Sequence, residues 1–246
     1  MDQKTVLVTG SSRGIGAAIA RELAADGWQI ILHYSANQDE AEMLANEIGS
    51  GCLGAIKADL RSESQTASLW HMARELSEIH ALINNAGIYV QSPFGQELSK
   101  WRALRTDMMR VNFEAPSELI HYALADFRKR KSGKVLNVAS RVGFRGEANA
   151  AFYAASKAAL INLTRSLAVE YAGAGIEFFG IAPGWVDTSM ARDGMDDRLA
   201  EILATIPMGR MGSPADCAAT TRFLLSDAAS YLSGVVIDIN GASYFH

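Results

Sequence analysis

Several features that would mark a particular class of protein are scarce in this sequence. Only two cysteines, Cys52 and Cys217, occur in 246 residues, so a disulfide framework is excluded and both are predicted to be reduced thiols. The five histidines show no metal-ligand spacing with cysteines or acids, and we expect no metal site. Only five prolines are present and none marks a domain boundary, so we expect one domain over residues 1–246.

Basic excess and long hydrophobic runs are missing as well. Lys and Arg number 23 against 27 Asp and Glu, a net charge of −4, whereas nucleic-acid binders normally carry a basic excess. No apolar run approaches the roughly 18 residues of a membrane helix. The N-terminus enters a strand-like run at once, which leaves no space for a signal peptide. The sequence therefore predicts a cytoplasmic protein that binds neither nucleic acid nor membrane.

Strand-like and helix-like segments alternate from end to end. The first helices are predicted at Ala17–Asp26 and Asp39–Glu47, and Ser62 with Gln65 predicts a capping box for the next. Strands that are apolar on both faces and alternate with helices indicate a parallel sheet covered on both sides. The loosest stretch, 189–212, is either a mobile lid or a long connection. The predicted strands are Thr5–Thr9, Gln29–His33, Ala55–Ala58, Ala81–Ile83, Lys134–Val138, Ile176–Ile181 and Val235–Ile239.

A glycine-rich turn, Thr9-Gly10-Ser11-Ser12-Arg13-Gly14-Ile15-Gly16, directly follows the first predicted strand and opens a helix. Glycines let the backbone come close to a pyrophosphate, and the helix N-terminus then presents free N–H groups to the anion. Glycine also closes ordinary strand–helix turns, but the position after the first strand favours a nucleotide site.

A second candidate site combines a tyrosine, a lysine and a serine. Tyr153 and Lys157 are four residues apart in a helix-compatible run and share a face. A nearby ammonium lowers the pKa of a phenol, and such a tyrosine can exchange a proton with an alcohol oxygen. Ser140 ends the fifth predicted strand, where open α/β sheets bind ligands. Taken singly, these residues are also compatible with a surface contact and a turn serine.

The glycine spacing Gly-x-x-x-Gly-x-Gly resembles that of the classical short-chain dehydrogenase/reductase family. Asn84-Asn85-Ala86-Gly87, Ser140, Tyr153-x-x-x-Lys157 and Pro183-Gly184 stand in the order of that family and span nearly the whole chain. The resemblance implies a Rossmann-type, doubly wound parallel sheet of about seven strands with helices on both faces. It also implies an NAD(P)-dependent oxidoreductase.

The resemblance assigns a role to each member of a catalytic tetrad. Tyr153 would be the general acid that protonates a carbonyl oxygen. Lys157 would lower the tyrosine pKa and hold the nicotinamide ribose. Ser140 would hydrogen-bond the substrate carbonyl, and Asn112 would support a water in a proton relay with Lys157.

The same resemblance implies a set of cofactor-binding residues. An acid after strand two is common in NAD enzymes, but Ser35 occupies that corner here and permits NADP(H). Arg13 can pair with a 2′-phosphate, so we favour NADP(H), with NAD(H) as the alternative. The implied contacts are Gly10, Ser12, Arg13, Gly14, Ile15, Gly16, Ser35, Asp59, Leu60, Asn85, Ala86, Gly87, Tyr153, Lys157, Pro183, Gly184, Val186 and Thr188.

The run 206–214 resembles the 3-oxoacyl-[acyl-carrier-protein] reductases within the family. We therefore expect reduction of a 3-oxoacyl thioester in fatty acid biosynthesis, or alternatively a sugar, polyol or secondary-alcohol dehydrogenase. A regulator that only senses the nucleotide is a third possibility from another class. The substrate would be a small molecule or a carrier-linked acyl group. Arg128–Lys131 is either a docking surface for an acidic carrier or a solvated charge run.

Other arginines and one apolar helix suggest further contacts. Arg102, Arg105 and Arg110 are expected near the mouth of the site, because the stretch before Asn112 is longer than in typical members. Arg141 and Arg145, with Glu147 beyond, either select an anionic substrate or are solvated. The helix from Tyr153 to Tyr171 is apolar around much of its circumference. Burial of that helix in a homodimer or homotetramer, or within the monomer alone, would satisfy this pattern.

Overall fold

The computed structural model describes residues 3–189 and 199–246, and in them it contains one parallel sheet of seven strands. The spatial order is β3-β2-β1-β4-β5-β6-β7, so the sequence order reverses between β1 and β4. This confirms the predicted doubly wound α/β fold. The strands are β1 (Thr5–Val8), β2 (Gln29–Tyr34), β3 (Cys52–Lys57), β4 (Ala81–Asn84), β5 (Gly133–Val138), β6 (Ile176–Pro183) and β7 (Val236–Ile239).

Helices connect successive strands and cover both faces of the sheet. A single sheet collects strands from Thr5 to Ile239. In the described residues no helix is long and apolar enough to cross a membrane. The α-helices are α1 (Gly14–Ala25), α2 (Gln38–Ile48), α3 (Glu63–Leu76), α4 (Leu98–Met109), α5 (Ala115–Arg130), α6 (Ala151–Tyr171), α7 (Leu199–Ala204) and α8 (Pro214–Leu225).

Two hydrophobic layers sandwich the sheet. Successive side chains of β1 alternate between them, with Val6 and Val8 facing one layer and Leu7 the other. The first layer packs α1 and α8 on the sheet, and the second packs α3 and α5, with Trp70 and Phe127 edge to face at 6.4 Å. All four β1 side chains are buried, whichever face of the sheet they point to, which explains the continuous apolar run in the sequence.

The element boundaries differ from prediction where glycine or a side-chain cap intervenes. Helix α1 begins at Gly14, inside the glycine turn. Strand β3 begins at Cys52, because Gly54 continues the strand instead of ending it. The capping box predicted at Ser62 is half formed, since Gln65 accepts from the Asp59 amide and not from that of Ser62. Ser213 and Asp216 form a complete one.

A π-helical turn, Arg110–Glu114, joins α4 to α5. The prediction that Arg110 lies near the mouth of the site is wrong. Its guanidinium is buried and donates to both carboxylate oxygens of Glu118, at 2.8 and 2.9 Å. It also donates to Thr66 Oγ1 at 3.0 Å and to the Arg61 carbonyl at 3.3 Å. Arg110 therefore fixes the π turn against the start of α3.

The basic run Arg128–Lys131 ends α5 and precedes β5, so it lies at the amino edge of the sheet. Arg130 is engaged within the protomer, where it pairs with Glu78 and donates to the Ile79 carbonyl. The other three members of the run are exposed. Six residues of β5 separate this surface from the opposite edge, about 20 Å along the strand. The stretch 189–212, predicted to be either a mobile lid or a long connection, lies in part, at 190–198, outside the described residues.

We expect Glu118→Gln to lower the free energy of unfolding by roughly 2 kcal/mol, because it leaves the buried Arg110 guanidinium without its counter-charge. Urea denaturation measures this. The matched control is Glu47→Gln, which makes the same change in an equally bidentate pair with Arg21 whose side chains are half exposed. Solvent weakens that pair, so its loss should be clearly smaller. Equal losses in the two variants would contradict the structural role of Arg110.

Candidate active site

In a parallel sheet all carboxyl ends meet at one edge, and here they enclose a crevice of about 430 Å³. The segments after β1 to β6 supply most of its walls. The sequence-predicted residues that line it are Gly10, Ser12, Arg13, Gly14, Ile15, Ser35, Asp59, Leu60, Asn85, Ala86, Gly87, Ser140, Tyr153, Lys157, Pro183, Gly184, Val186 and Thr188.

Two predicted site residues, Gly16 and Asn112, do not line the crevice. Gly16 lies beneath the turn, where an added Cβ would be 2.4 Å from Asn85 Nδ2 and 2.4 Å from the Gly10 carbonyl oxygen. It permits this close packing, and its contact with a cofactor stays a prediction. Asn112 is fully buried in the π turn.

Thr9 fastens the glycine turn to the end of β4. Its buried hydroxyl donates to the Ile83 carbonyl at 3.2 Å and accepts the amides of Asn85 and Ala86 at 3.0 Å each. Gly10 has φ +61° and approaches so closely that an added Cβ would be 2.9 Å from Ala86 Cα. No bulkier residue fits at Gly10, because of this contact and the left-handed backbone, and the role of the turn as a pyrophosphate cradle stays a prediction.

His33 holds the same turn from the β2 side, a role that sequence analysis missed. Its Nδ1 accepts the Gly10 amide at 2.9 Å, so Nε2 carries the proton and donates to the Ala58 carbonyl at 3.0 Å. Burial lowers the pKa of His33 to about 4, which keeps the ring neutral at pH 7. The available signal was a histidine inside an apolar strand.

Ser140, Tyr153 and Lys157 meet in the crevice. Ser140 follows β5 and starts a short 3₁₀ turn, Arg141–Gly143. Tyr153 and Lys157 lie on the inner face of α6, with Lys157 Nζ 5.7 Å from the centre of the tyrosine ring. Lys157 Nζ donates to the Val138 carbonyl at 2.8 Å. Gly87 lies against this group, where an added Cβ would be 3.2 Å from Asn112 Oδ1 and 3.4 Å from Lys157 Nζ.

The pKa values of this group depart from the sequence prediction. Burial raises the pKa of Tyr153 to about 12, partly opposed by a hydrogen bond with Ser140. The pKa of Tyr153 is raised because desolvation dominates, and the expected lowering by Lys157 is not among the causes of the shift. Burial lowers the pKa of Lys157 itself to about 8. At pH 7 the tyrosine is therefore neutral and most of the lysine is charged.

The amide of Asn112 is committed to structure. Its Oδ1 accepts the Ile88 amide at 2.8 Å, and its Nδ2 donates to the Ile88 carbonyl at 2.9 Å and to Ser156 Oγ at 3.1 Å. These bonds fix the loop after β4 against α6. The relay role of Asn112 stays a prediction, and its side chain has little capacity left for a water.

Several lining residues were not predicted. Tyr89 packs edge to face on Tyr153, with ring centres 5.2 Å apart, and Arg61 and Trp185 also line the crevice. Tyr89 follows the Asn-Asn-Ala-Gly motif by two residues, which was the only signal for it.

Arg141 and Glu147, which the sequence analysis discussed, line the crevice as well. Among the lining residues of the described chain there is no Arg102, Arg105 or Arg145.

The fold and this site define an oxidoreductase built around a dinucleotide crevice. Residues 10–242 match the family model described as enoyl-(acyl carrier protein) reductase. The chain belongs to the short-chain dehydrogenase/reductase family.

Relatives of known name cover almost the entire chain. The 3-oxoacyl-[acyl-carrier-protein] reductase FabG of Salmonella typhimurium is 35% identical over 98% of this chain and 97% of its own. A putative NAD(P)-dependent gluconate 5-dehydrogenase from Beutenbergia cavernae, solved with bound NADP, is 35% identical with TM-score 0.88, covering 98% and 96% of the two chains. A blue fluorescent protein from a metagenomic library, in complex with NADPH, is 32% identical with TM-score 0.90 over 98% of each chain.

Stability should fall on acidification because the pKa of His33 is lower in the folded chain than the ordinary 6.5. The unfolded chain binds the proton first, so this contribution is complete above pH 6.5 and is lost as the pH falls towards 4, about 3 kcal/mol in all. Denaturation at pH 7, 6, 5 and 4.5 should give a shallower dependence for His33→Asn. The exposed control His71→Asn should keep the full slope, and equal slopes would contradict the assignment.

Proposed function

We propose that this protein reduces a ketone to a secondary alcohol with NADPH, using Tyr153 as the general acid. The observation that carries the proposal is the meeting of Ser140, Tyr153 and Lys157 at the crevice into which the glycine turn also opens. A proton donor, a hydroxyl that can bind a carbonyl oxygen and a cation thus lie beside a cradle for phosphate. This combination suits hydride transfer with protonation of the oxygen.

The crevice fits a nicotinamide dinucleotide. Gly10 and Gly14 have φ +61° and +57°, and Arg13 precedes α1 with no side-chain cap on the helix amides. Those amides remain available to a pyrophosphate. Asp59 and Leu60 would hold the adenine, and Pro183, Gly184, Val186 and Thr188 the nicotinamide end. When bound, the cofactor supplies a hydride to the carbonyl carbon.

Residues of the chain provide the proton and the orientation. Because its pKa is about 12, Tyr153 carries its proton at pH 7 and can donate it to the carbonyl oxygen. Ser140 holds that oxygen by a hydrogen bond. The ammonium of Lys157, buried beside the ring, stabilises the tyrosinate that remains. In the oxidation direction the same proton returns to Tyr153.

The leading substrate class is a 3-oxoacyl thioester, supported by the likeness to the Salmonella reductase. If an acidic carrier docks at Arg128–Lys131, it approaches the sheet edge opposite the crevice of that protomer. Docking there would then serve the crevice of a neighbouring subunit. A sugar acid or polyol is the second candidate, favoured by the gluconate dehydrogenase neighbour and, for the acid, by Arg141 in the crevice wall.

We also propose a cytoplasmic homodimer or homotetramer. Helix α6 turns small side chains outward, including Ala155 and Ala158, and leaves Val169 83% exposed. Such a face suits close contact with a second copy of the chain. Sedimentation equilibrium distinguishes these states from a 26.5 kDa monomer.

Tyr153→Phe should lower kcat/KM for ketone reduction by about 10²–10⁴-fold, because it removes only the acidic hydroxyl. NADPH oxidation would be measured with acetoacetyl-CoA and a panel of ketones, aldehydes and sugars. NADPH binding, followed by fluorescence titration, should persist in the variant. Full activity in the variant would contradict the assignment, and binding without turnover in the native chain would indicate a nucleotide sensor.

Arg13→Gln should weaken NADPH binding by about tenfold or more and leave NADH binding unchanged. The exposed guanidinium, which has no acidic partner in the described part of the chain, would lose its charge-assisted bond to the 2′-phosphate. Fluorescence titration with both cofactors tests this. Arg21→Gln, on the same helix but paired with Glu47, is the control. A uniform loss for both cofactors would remove the proposed basis of the preference.

A further inference from the structure

Arg141, the residue after the catalytic serine, is a buried cation without an adequate counter-charge. Its side chain is only 4% exposed, yet it lines the crevice. Nη1 donates to Ser243 Oγ at 2.6 Å. The Glu147 carboxylate is 3.9 Å from Nη2, beyond hydrogen-bond distance, and Nε has no partner among the described residues. Burying a guanidinium in this way is costly unless a further acceptor joins it.

Two other arginines of the same chain show how a guanidinium is fully paired with hydrogen-bond acceptors. Arg110, equally buried, has two carboxylate bonds and two further acceptors. Arg21 binds Glu47 through its Nε and Nη2 edge, with both distances 2.8 Å. That edge is the planar fork that matches a carboxylate. In Arg141 it is the Nε and Nη2 edge that lacks hydrogen-bond acceptors in the described chain.

The surroundings also favour an anion. Arg145 lies near enough to act electrostatically on Arg141, so the loop after β5 holds two cations against the single carboxylate of Glu147. Burial is the main cause of the lowered pKa of Arg141, which shows that its charge is incompletely compensated. Arg141 lines the same crevice as Ser140 and Tyr153, which form the proposed carbonyl site.

We infer that Arg141 forms a subsite for a carboxylate of the substrate, so that the enzyme acts on small keto acids and the corresponding hydroxy acids. The inference rests on the proposed carbonyl reduction and selects the second of its two substrate classes. Ser140 and Tyr153 would bind the reacting oxygen while the free edge of Arg141 binds the carboxylate. Arg141 is thereby a specificity-determining residue.

Matched pairs of ketones test the inference, namely pyruvate, acetoacetate and levulinate, each beside its methyl ester. The native enzyme should prefer at least one acid over its ester. Arg141→Met should raise KM for that acid by about tenfold or more and change KM for the ester less than about twofold. Equal treatment of every acid and ester by the native enzyme, or an acid preference that survives Arg141→Met, would overturn the subsite.

Three further variants separate charge recognition from structure. Arg145→Met removes a cation from the same loop outside the crevice and should keep the acid preference. Ser243→Ala breaks the only side-chain hydrogen bond of Arg141 in the described chain and should also keep the acid preference. Loss of the acid preference in Ser243→Ala would contradict the subsite, and would indicate that Arg141 acts by fixing the C-terminal segment through Ser243. Arg141→Gln, which retains a donor towards Ser243, replaces the methionine variant if that variant does not fold.

A binding measurement makes the subsite testable without turnover. Acetate, malonate and succinate are added to the protein, with chloride at equal ionic strength as reference, and thermal unfolding is followed. At least one carboxylate should raise the Tm of the native chain and of Arg145→Met, but not of Arg141→Met. A shift without any carbonyl reduction keeps the subsite and rejects the proposed function. Carbonyl reduction with neither a shift nor an acid preference rejects the subsite alone.

Discussion

The seam between the ends of β1 and β4 is the constraint on which the rest of the site depends. The sequence order of the strands reverses there, so helices leave the sheet in opposite directions and a crevice opens between them. The Thr9 hydroxyl and the Gly10 backbone close the lower part of that opening against Asn85 and Ala86. A wider seam would move the glycine turn after β1 away from the loop after β4, which Asn112 fixes against α6.

Exclusion of water sets the chemistry of the crevice. Burial raises the pKa of Tyr153, so that it keeps its proton, and lowers the pKa of Lys157. It also lowers the pKa of His33, which leaves that ring uncharged. These groups therefore respond to one another and to a ligand more strongly than they would at a surface. A low-dielectric crevice suits a reaction that shifts charge between carbon, oxygen and a phenol. In such a crevice, an incompletely paired cation such as Arg141 favours the binding of an anion.

The sequence predicted the fold and most of the crevice because the relevant signals are local. Apolar strands, the glycine turn and the Tyr-x-x-x-Lys pair can each be identified from a few consecutive residues. Parallel pairing of the strands then brings their carboxyl ends to one edge of the sheet. The predictions failed where the outcome depends on distant partners. Arg110 was expected near the mouth of the site, but in the fold its guanidinium binds Glu118 and Thr66, which lie far from it in sequence or on another helix. Likewise, the pKa of Tyr153 depends on how deeply α6 packs, which no spacing encodes.

The central position of β1 also shapes how the chain can assemble. It is synthesised before the other strands of the sheet, yet Ile83, the partner of the Thr9 hydroxyl, lies 74 residues further along the chain. Until β4 is synthesised, β1 can pair with β2 but not with β4, and its other edge presents unpaired N–H and C=O groups that a wrong strand can bind. Contacts of such long sequence separation slow folding. The nucleotide crevice, which needs residues beyond β6, is accordingly among the last parts of the molecule to form.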